Sequence, residues 1–434
     1  MRMTVIGCGH LGATHAACMA EIGHNVLGVD IDDDKIVLLN SGKAWFHEPG
    51  LDAMLERNIA AGRLRFTSSF AAAAKFADVH FLGVATPGHS DGSYDLSQVR
   101  HAALFLAEHL AGPALIIGKS TVPPGTAAML QRLLADHAPA AEVAWNPEFL
   151  REGHAVKDTL QPDRIVIGTA GTRARTRLRA IYRPLAQAGV PVVYTDLATA
   201  ELAKAAANAF LATKITFINT MADVCTATGA DVSMLATALG MDPRIGAACL
   251  NAGIGYGGAC LPKDVRGLAA FAGQVGTHSA ERLLTLIDRA NTERRELVIN
   301  RVRAVTGDDG ARLHGKRVAM WGAAFKAGTD DVRDSPALDV ADRLHDLGAR
   351  VTVHDPMAVG SAITAYPHLG YADSPLAAAR DADVVVVATA WAQFADVRPA
   401  DAAGTVAART IVDACGGIDA AAWRAAGWRV SSLT

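Results

Sequence analysis

Short, uniformly apolar runs rich in β-branched residues punctuate the first 195 or so residues: MTVIG, NVLGVD, ADVHFLGVA, ALIIGKS, RIVIGT and PVVYT. None of them alternates with polar residues, so none has a solvent face. Strands of that kind belong to a parallel sheet covered by helices on both sides. The stretches between them are Ala- and Leu-rich helix formers. The same signal returns near the C-terminus in KRVAMWGAAF, ARVTVHDP, ADVVVVATA and RTIVDA. Between the two series, ATAELAKAAANAFLATKITFINTMADVCTATG carries no proline and predicts helix from Ala198 to about Gly240. The glycine-rich break NAGIGYGGACLPKD follows, then a second helical stretch from about 280 to 305 and the polar turn TGDDGARLHG. At 434 residues the chain is too long for one core. The predicted layout is α/β over 1–197, a central helical region over 198–305, and α/β again over 306–434.

Several function classes drop out on composition. A formal charge of −3 offers no basic excess for a phosphate backbone, which argues against nucleic acid as a partner. The opening Met1-Arg2-Met3 runs straight into a strand, without the apolar length or cleavage site of a signal peptide, and the longest strongly apolar run, at 384–388 with its flanks, is too short for a membrane span. The expected location is the cytoplasm, with no membrane partner. Six cysteines, Cys8, Cys18, Cys225, Cys249, Cys260 and Cys415, form no CxxC pair, so neither a disulfide framework nor a metal site is indicated. Most of them are expected to be small buried apolar residues.

Gly7-Cys8-Gly9-His10-Leu11-Gly12 places GxGxxG directly after the first strand. There the glycines allow a tight turn and bring backbone N–H groups close to a pyrophosphate at a helix N-terminus. The next strand ends in Asp30, where an acid accepts hydrogen bonds from an adenosine ribose and repels a 2′-phosphate. Strand, glycines and acid together predict a Rossmann-like, doubly wound domain that takes NAD rather than NADP. The glycines alone would equally suit an α/β turn that binds nothing.

Lys204 and Asn208 are four residues apart in ELAKAAANAF, on one helix face, a cation and an amide suited to polarising an alcohol or an oxyanion. As a pair they also fit a surface lysine beside a helical asparagine. The segment Gly255-Tyr256-Gly257-Gly258-Ala259-Cys260-Leu261-Pro262-Lys263-Asp264 narrows the chemistry. Its glycines let the backbone wrap a ligand, Pro262 suits the first position of a helix, and a cysteine at a helix N-terminus has its thiol pKa lowered. Such a thiolate can add to an aldehyde, and oxidation of the adduct gives a thioester that water cleaves to an acid. Cys8, Cys18 and Cys225 lack that setting and are expected to be structural. Glu148 and Glu152, four apart in NPEFLREG, are either the rim of the site or solvated carboxylates; the run 324–333, AFKAGTDDVR, offers two cations for a diphosphate but has the composition of an ordinary surface loop.

In chain order, GCGHLG, EPGL at 48–51, the TP of VATPGHSDG, KSTVPPGT, NPEFLREG, ELAKAAANAF, DPRIG, GYGGACLPKD and AFKAGTDDVRDSP resemble the UDP-glucose and GDP-mannose dehydrogenase family over nearly the whole chain. The resemblance implies an NAD-binding domain, a central helical dimerisation region, a nucleotide-sugar domain, a homodimer, and four-electron oxidation of a sugar's primary alcohol to a carboxylate. It implies Cys260 as nucleophile; Lys204, Asn208 and Asp264 as holders of the oxyanion and the attacking water; Thr121 beside them; and Glu148 as acid or base. Gly7, Gly9, Leu11, Gly12, Asp30, Lys35, Thr86, Thr121, Glu152, Lys263 and Arg333 would contact NAD. Glu148, Phe149, Leu150, Lys204, Asn208, Leu250, Asn251, Gly253, Gly257 and Lys326 would contact the nucleotide sugar, with Arg244 reaching the partner subunit's site.

The expected substrate is UDP-glucose, since WGAAFKAGTDDVRDSPAL reads closer to that branch, although CLPKDVRGL also occurs in mannose-type relatives. The competing readings are GDP-mannose, a UDP-aminosugar or another nucleotide sugar, and a catalytically silent binding protein, against which the joint presence of Cys260, Lys204, Asn208 and Asp264 argues. Three places depart from the family: Val84-Ala85-Thr86-Pro87 for VGTP, Cys249 where an aromatic residue is common, and Val412-Asp413-Ala414-Cys415-Gly416-Gly417 where an arginine is common. The last two fall in the expected sugar-nucleotide pocket.

Overall fold

The computed structural model describes residues 1–307 and 313–434. The polar turn at 306–315, expected as the last domain boundary, lies partly outside them. The described chain divides into two compact units, Met1–Ala207 with Ala270–Gly276, and Asn208–Ala269 with Thr277–Thr434.

The first unit is built on eight strands: β1 (Arg2–Ile6), β2 (Asn25–Val29), β3 (Leu64–Thr67), β4 (Val79–Leu82), β5 (Leu115–Gly118), β6 (Glu142–Trp145), β7 (Ile165–Thr169) and β8 (Val192–Thr195), in the order β3-β2-β1-β4-β5-β6-β7-β8. Successive side chains of these strands feed opposite faces. Met3, Val5, Phe81 and Ile117 enter one core cluster, and Ile6, Leu27, Leu82 and Ile116 the other. Both faces are dry over β1, β2, β4 and β5, which is why those strands read as unbroken apolar runs; β8, expected to be buried like them, is an edge strand and half-exposed, with Val193 50% exposed. One pairing departs from the expected all-parallel sheet: β6 and β7 run antiparallel, with Trp145 opposite Gly168. A parallel return needs a crossover helix long enough to recross the sheet, and the helix between them, Ala155–Leu160, has only six residues.

The helix His10–Glu21 is buried from Gly12 to Ala20 because small side chains let it sit close on the sheet. Two glycines make that approach possible. A Cβ on Gly12 would stand 1.7 Å from the Gly7 carbonyl oxygen, and Gly7 itself has φ +88 with the Val84 backbone N 2.8 Å from where its Cβ would be.

In the second unit the sheet comprises β9 (Arg317–Trp321), β10 (Arg350–His354), β11 (Gly370–Tyr371), β12 (Val384–Val387), β13 (Thr410–Asp413) and β14 (Arg429–Ser432). Its order is β11-β10-β9-β12-β13-β14, parallel throughout. The start of this sheet repeats that of the first. Gly7 N donates to Val29 O and Gly322 N to His354 O, both at 2.8 Å, and both glycines have positive φ. Asp30 follows β2 as Asp355 follows β10. Asp30 accepts one backbone N–H on each oxygen, from Cys8 and Asp32. Asp355, 2% exposed, accepts from the backbone N–H groups of Ala323, Ala324, Met357 and Ala358 and from Trp391 Nε1.

Between the sheets in sequence lie the helices Leu197–Thr228, Val232–Gly240, Leu261–Gln274 and His278–Thr306. The single helix expected to Gly240 is broken at Gly229, whose φ is +73, and the next helix restarts on Asp231, which caps it by accepting from Ser233 N and Met234 N. The apolar runs read from sequence do not include four strands: β3, β11 and β14, which are short, partly polar edge strands, and the interior β6. Among the described residues no helix is long and apolar enough to cross a membrane.

Candidate active site

The turn after β1 presents Gly9 at the N-terminus of His10–Glu21. Gly9 has no side chain to cap the helix, no acidic residue occupies the first turn, and a Cβ on Gly9 would meet no atom within 4 Å. The first N–H groups of a helix have no intrahelical acceptor, so this end suits the pyrophosphate of NAD, and Asp30 retains acceptor capacity on both oxygens for ribose hydroxyls. Lys35 pairs with Asp32 at 3.1 Å and lies 5.3 Å from the centre of the Trp45 ring. Glu48, the acid of EPGL, was not assigned a role from sequence. It is 6% exposed, lies 3.5 Å from His10 Nε2, and accepts from Gly153 N and Val156 N, so it anchors the loop that carries Glu152.

Farther along the sheet, Thr86 Oγ1 donates to Thr121 O at 2.8 Å and Ser120 Oγ to Val84 O at 2.6 Å, joining the turns after β4 and β5. The turn containing Thr121 is held from its far end by Glu201, which accepts from Gly125 N and Ala127 N and whose carboxyl burial pushes up in pKa. Glu148 follows β6. Its Oε2 accepts from Leu150 N and its Oε1 lies 2.8 Å from Lys204 Nζ, in a pair whose side chains are 12% and 4% exposed. Phe149 packs beneath the same ammonium at 5.7 Å and under the Arg164 guanidinium at 3.7 Å. Burial strengthens such a pair once it is formed and makes loss of one partner costly. The structure thus joins two residues that sequence placed in separate motifs.

In the second unit, the segment before Cys260 is gripped from several sides. Asn219 Oδ1 accepts from Gly253 N, Asn291 exchanges two hydrogen bonds with the Tyr256 backbone, and Arg294 Nε donates to Gly253 O. Gly258 N donates to Arg333 O. Asn219, Asn291 and Arg294 went unnoticed in the sequence because they sit within long helices and carry no local motif. Cys260 is exposed at the start of Leu261–Gln274, with Pro262 at the second helical position, one later than expected. Asp264, one turn on and fully buried, accepts from Asn208 Nδ2 and Lys263 Nζ, each at 2.6 Å. The other cysteines differ: Cys8, Cys18 and Cys225 are buried, and burial pushes the Cys18 thiol up to about 12 and the Cys8 and Cys415 thiols higher than usual.

The remaining expected nucleotide-sugar residues are more dispersed. Leu250 is buried with Ile218, Ala222 and Cys225, Asn251 is exposed, and Cys249 adopts φ +64. Lys326 Nζ lies 5.6 Å from the centre of the Phe325 ring, Arg333 pairs with Asp331, and Arg244, 87% exposed, pairs with Asp242. A Cβ on Gly253 would come within 3.6 Å of Ala414 O, so the stretch where an arginine is common in the family lies against this loop.

Three sequence profiles of the UDP-glucose/GDP-mannose dehydrogenase family match in order: the NAD-binding domain over 1–186, the central domain over 198–293 and the UDP-binding domain over 319–420. The chain belongs to that family, a group of NAD-dependent oxidoreductases. It is 43% identical to a UDP-glucose 6-dehydrogenase of Rhizobium meliloti over 399 residues, 91% of this chain and 90% of that one. It is 41% identical to a UDP-glucose 6-dehydrogenase of Bacillus subtilis over 91% of this chain and 88% of that one. A solved UDP-glucose dehydrogenase from the hyperthermophilic archaeon Pyrobaculum islandicum superposes with a TM-score of 0.90 at 33% identity, covering 100% of this chain and 97% of that one.

Proposed function

We propose that this chain oxidises UDP-glucose to UDP-glucuronate, reducing two NAD per sugar, with Cys260 as the covalent nucleophile. The observation that carries the reading is the pairing of an exposed Cys260 at a helix N-terminus with a fully buried Asp264 one turn on that holds Asn208 and Lys263. NAD would be held by the Gly9 turn and Asp30 and would supply the hydride acceptor for each oxidation. Lys204 gives a proton to the paired Glu148 carboxylate and takes the hydroxyl proton in its place as the alcohol becomes the aldehyde. The Cys260 thiolate adds to the aldehyde carbon, and the resulting oxyanion is held by Lys204 and Asn208. Loss of the second hydride leaves the thioester. Water, oriented by Asp264, then attacks the carbonyl carbon and expels the thiolate, and the proton leaves with the carboxylic acid. Overall, one alcohol, one water and two NAD become one carboxylate, two NADH and three protons.

The test counts NADH per sugar consumed over a panel of nucleotide sugars. Two NADH and a carboxylate from UDP-glucose, with GDP-mannose and UDP-aminosugars slower, is the expected result; one NADH and an accumulated aldehyde would refute it. The proposed assembly is a homodimer. Phe210, Phe217 and Val224 repeat every seven residues along one helix and are 66%, 48% and 50% exposed, an apolar stripe that a second copy would cover. A monomeric mass in solution with full activity would sink it. We also read the chain as three functional regions near 1–197, 198–305 and 306–434, acting in the cytoplasm; the six free cysteines support a reducing compartment.

A further inference from the structure

A lysine with no anionic partner lies under the loop that carries Glu148. Lys119 follows β5 and is 5% exposed. Its Nζ donates to Asn146 O at 3.3 Å and to Asn146 Oδ1 at 3.0 Å. Tyr182 Oη donates to the same Oδ1 at 2.5 Å, and Asn146 Nδ2 donates to Val166 O, so the side-chain amide is held by three partners. Among the described residues no carboxylate is within ion-pair distance of Lys119. Burying an ammonium on neutral acceptors is costly, and a methionine would fill the same space without that cost. Structural packing alone therefore does not account for the charge.

The nearby charges do. Asn146 is two residues before Glu148, and Lys119 two before Thr121, so a single side chain ties the two turns together from beneath. Burial lowers Lys119 to about 8, the Glu148 carboxylate opposes that fall, and the Lys204 ammonium adds to it. The other titratable groups around it are neutral near pH 7: burial pushes Tyr182 far up and His15 well down, the latter helped by Lys119 itself. The ring of Phe81 lies 5.9 Å from the ammonium.

We propose that Lys119 is a positioning residue for the oxidation, whose buried ammonium fixes the Asn146-Pro147-Glu148 turn and so holds Glu148 against Lys204. The same charge acts on both members of that pair, attracting the carboxylate and repelling the ammonium, so its removal changes the electrostatics of both. This inference rests on the proposed roles of Glu148 and Lys204, so its test needs one readout with turnover and one without.

With turnover, Lys119→Met and Lys119→Gln are compared with Lys119→Arg. The first two should lower kcat by about 10- to 100-fold, the range for residues that orient others, with KM for NAD and sugar within about threefold. Their kcat–pH profiles should move to higher pH. Lys119→Arg should recover most of the rate and the original profile. Gln matching wild type in rate and profile would mean that hydrogen bonding alone matters and would overturn the proposal. Without turnover, the Lys119 side-chain signal in 13C-labelled enzyme is titrated by NMR in wild type and in Glu148→Gln. Its pKa should fall in the variant, and an unchanged value would overturn the proposal even in a preparation that oxidised no sugar. Absence of NADH from wild type with an intact NMR shift would instead count against the enzymatic reading alone.

Discussion

Replacing Gly257 with alanine tests how far the Cys260 loop depends on close packing. A Cβ there would lie 2.3 Å from the Asp334 carbonyl oxygen and 2.6 Å from Pro336 Cδ, where real contacts stay beyond 3.0 Å. One side must retreat by about 0.7 Å, and neither neighbour is the loose end of a flexible side chain. Asp334 already sits at φ +45, with its carboxylate held by Arg295 at 2.8 Å and Arg266 at 3.3 Å. The glycine loop is the side that yields. Overpacking of this size costs about 1–3 kcal/mol, which lowers the melting midpoint of a domain this large by a few degrees. The larger effect is on rate. Cys260 is three residues away, and a misplacement approaching 1 Å costs about 10²-fold, so kcat should fall by about 10- to 100-fold. Measurement of kcat by NADH absorbance, alkylation rate of Cys260 and melting midpoint would follow these consequences separately. Gly360→Ala is the control, because its Cβ would meet nothing within 4 Å and it lies in the helix Val359–Ala365; it should be neutral or stabilising by up to about 1 kcal/mol. Gly257→Ala with wild-type kcat and melting midpoint would show that the loop is held in some other way.

Cys260→Ala should cut acid production by at least about 10³-fold while NAD and sugar still bind, the size expected when a covalent nucleophile is lost; near wild-type acid yield would make this cysteine structural. Asp30→Ala should weaken NAD by about 10- to 100-fold, the value of hydrogen bonds to a charged group, and narrow the preference against NADP; equal kcat/KM for the two cofactors in wild type would refute the role of Asp30. His80, beside Thr4 Oγ1 at 2.7 Å, is held by burial at about 4 instead of the usual 6.5. The unfolded chain therefore takes up a proton that the folded chain refuses, and stability complete above about pH 6.5 is lost as pH falls toward 4. Urea titrations across that window should show the decline, and His80→Leu should make it shallower, buried His15 contributing the remainder in the same direction.

The strands of both sheets were legible because burial on two faces removes polar alternation, and the nucleotide turn because glycines there answer a steric demand that any sequence must meet. β3, with Arg65 exposed, two-residue β11 and the half-exposed, polar β14 leave no such trace, and β6, opening on Glu142, has only three apolar residues. The reversal at β7 was invisible because strand direction depends on the connecting helix and not on the strand's own residues. At the site, Lys204 and Asn208 stood out through their spacing on one helix turn and Cys260 through its glycine-rich loop at a helix start, while the role of Asp264 came only with the family resemblance. Glu148 opposite Lys204 is a contact across 56 positions of sequence, and only the sheet brings it about. Lys119 was legible only as part of KSTVPPGT: nothing local says that the cation points inward.

Asp30 and Asp355 occupy matching places in two copies of one turn, yet only the first has lone pairs to offer. A carboxylate has roughly four acceptor positions, and Asp355 already meets five donors. The duplicated turn is thus saturated by its own chain, and a ribose hydroxyl would find no acceptor there. If each sugar is to surrender four electrons, both oxidant molecules must pass through the one turn that stays open, the spent one departing before its replacement arrives. The half-oxidised sugar has to wait through that exchange. A covalent tether on sulfur is then also a retention device, and the fraction of aldehyde that escapes is set by the race between cofactor exchange and release.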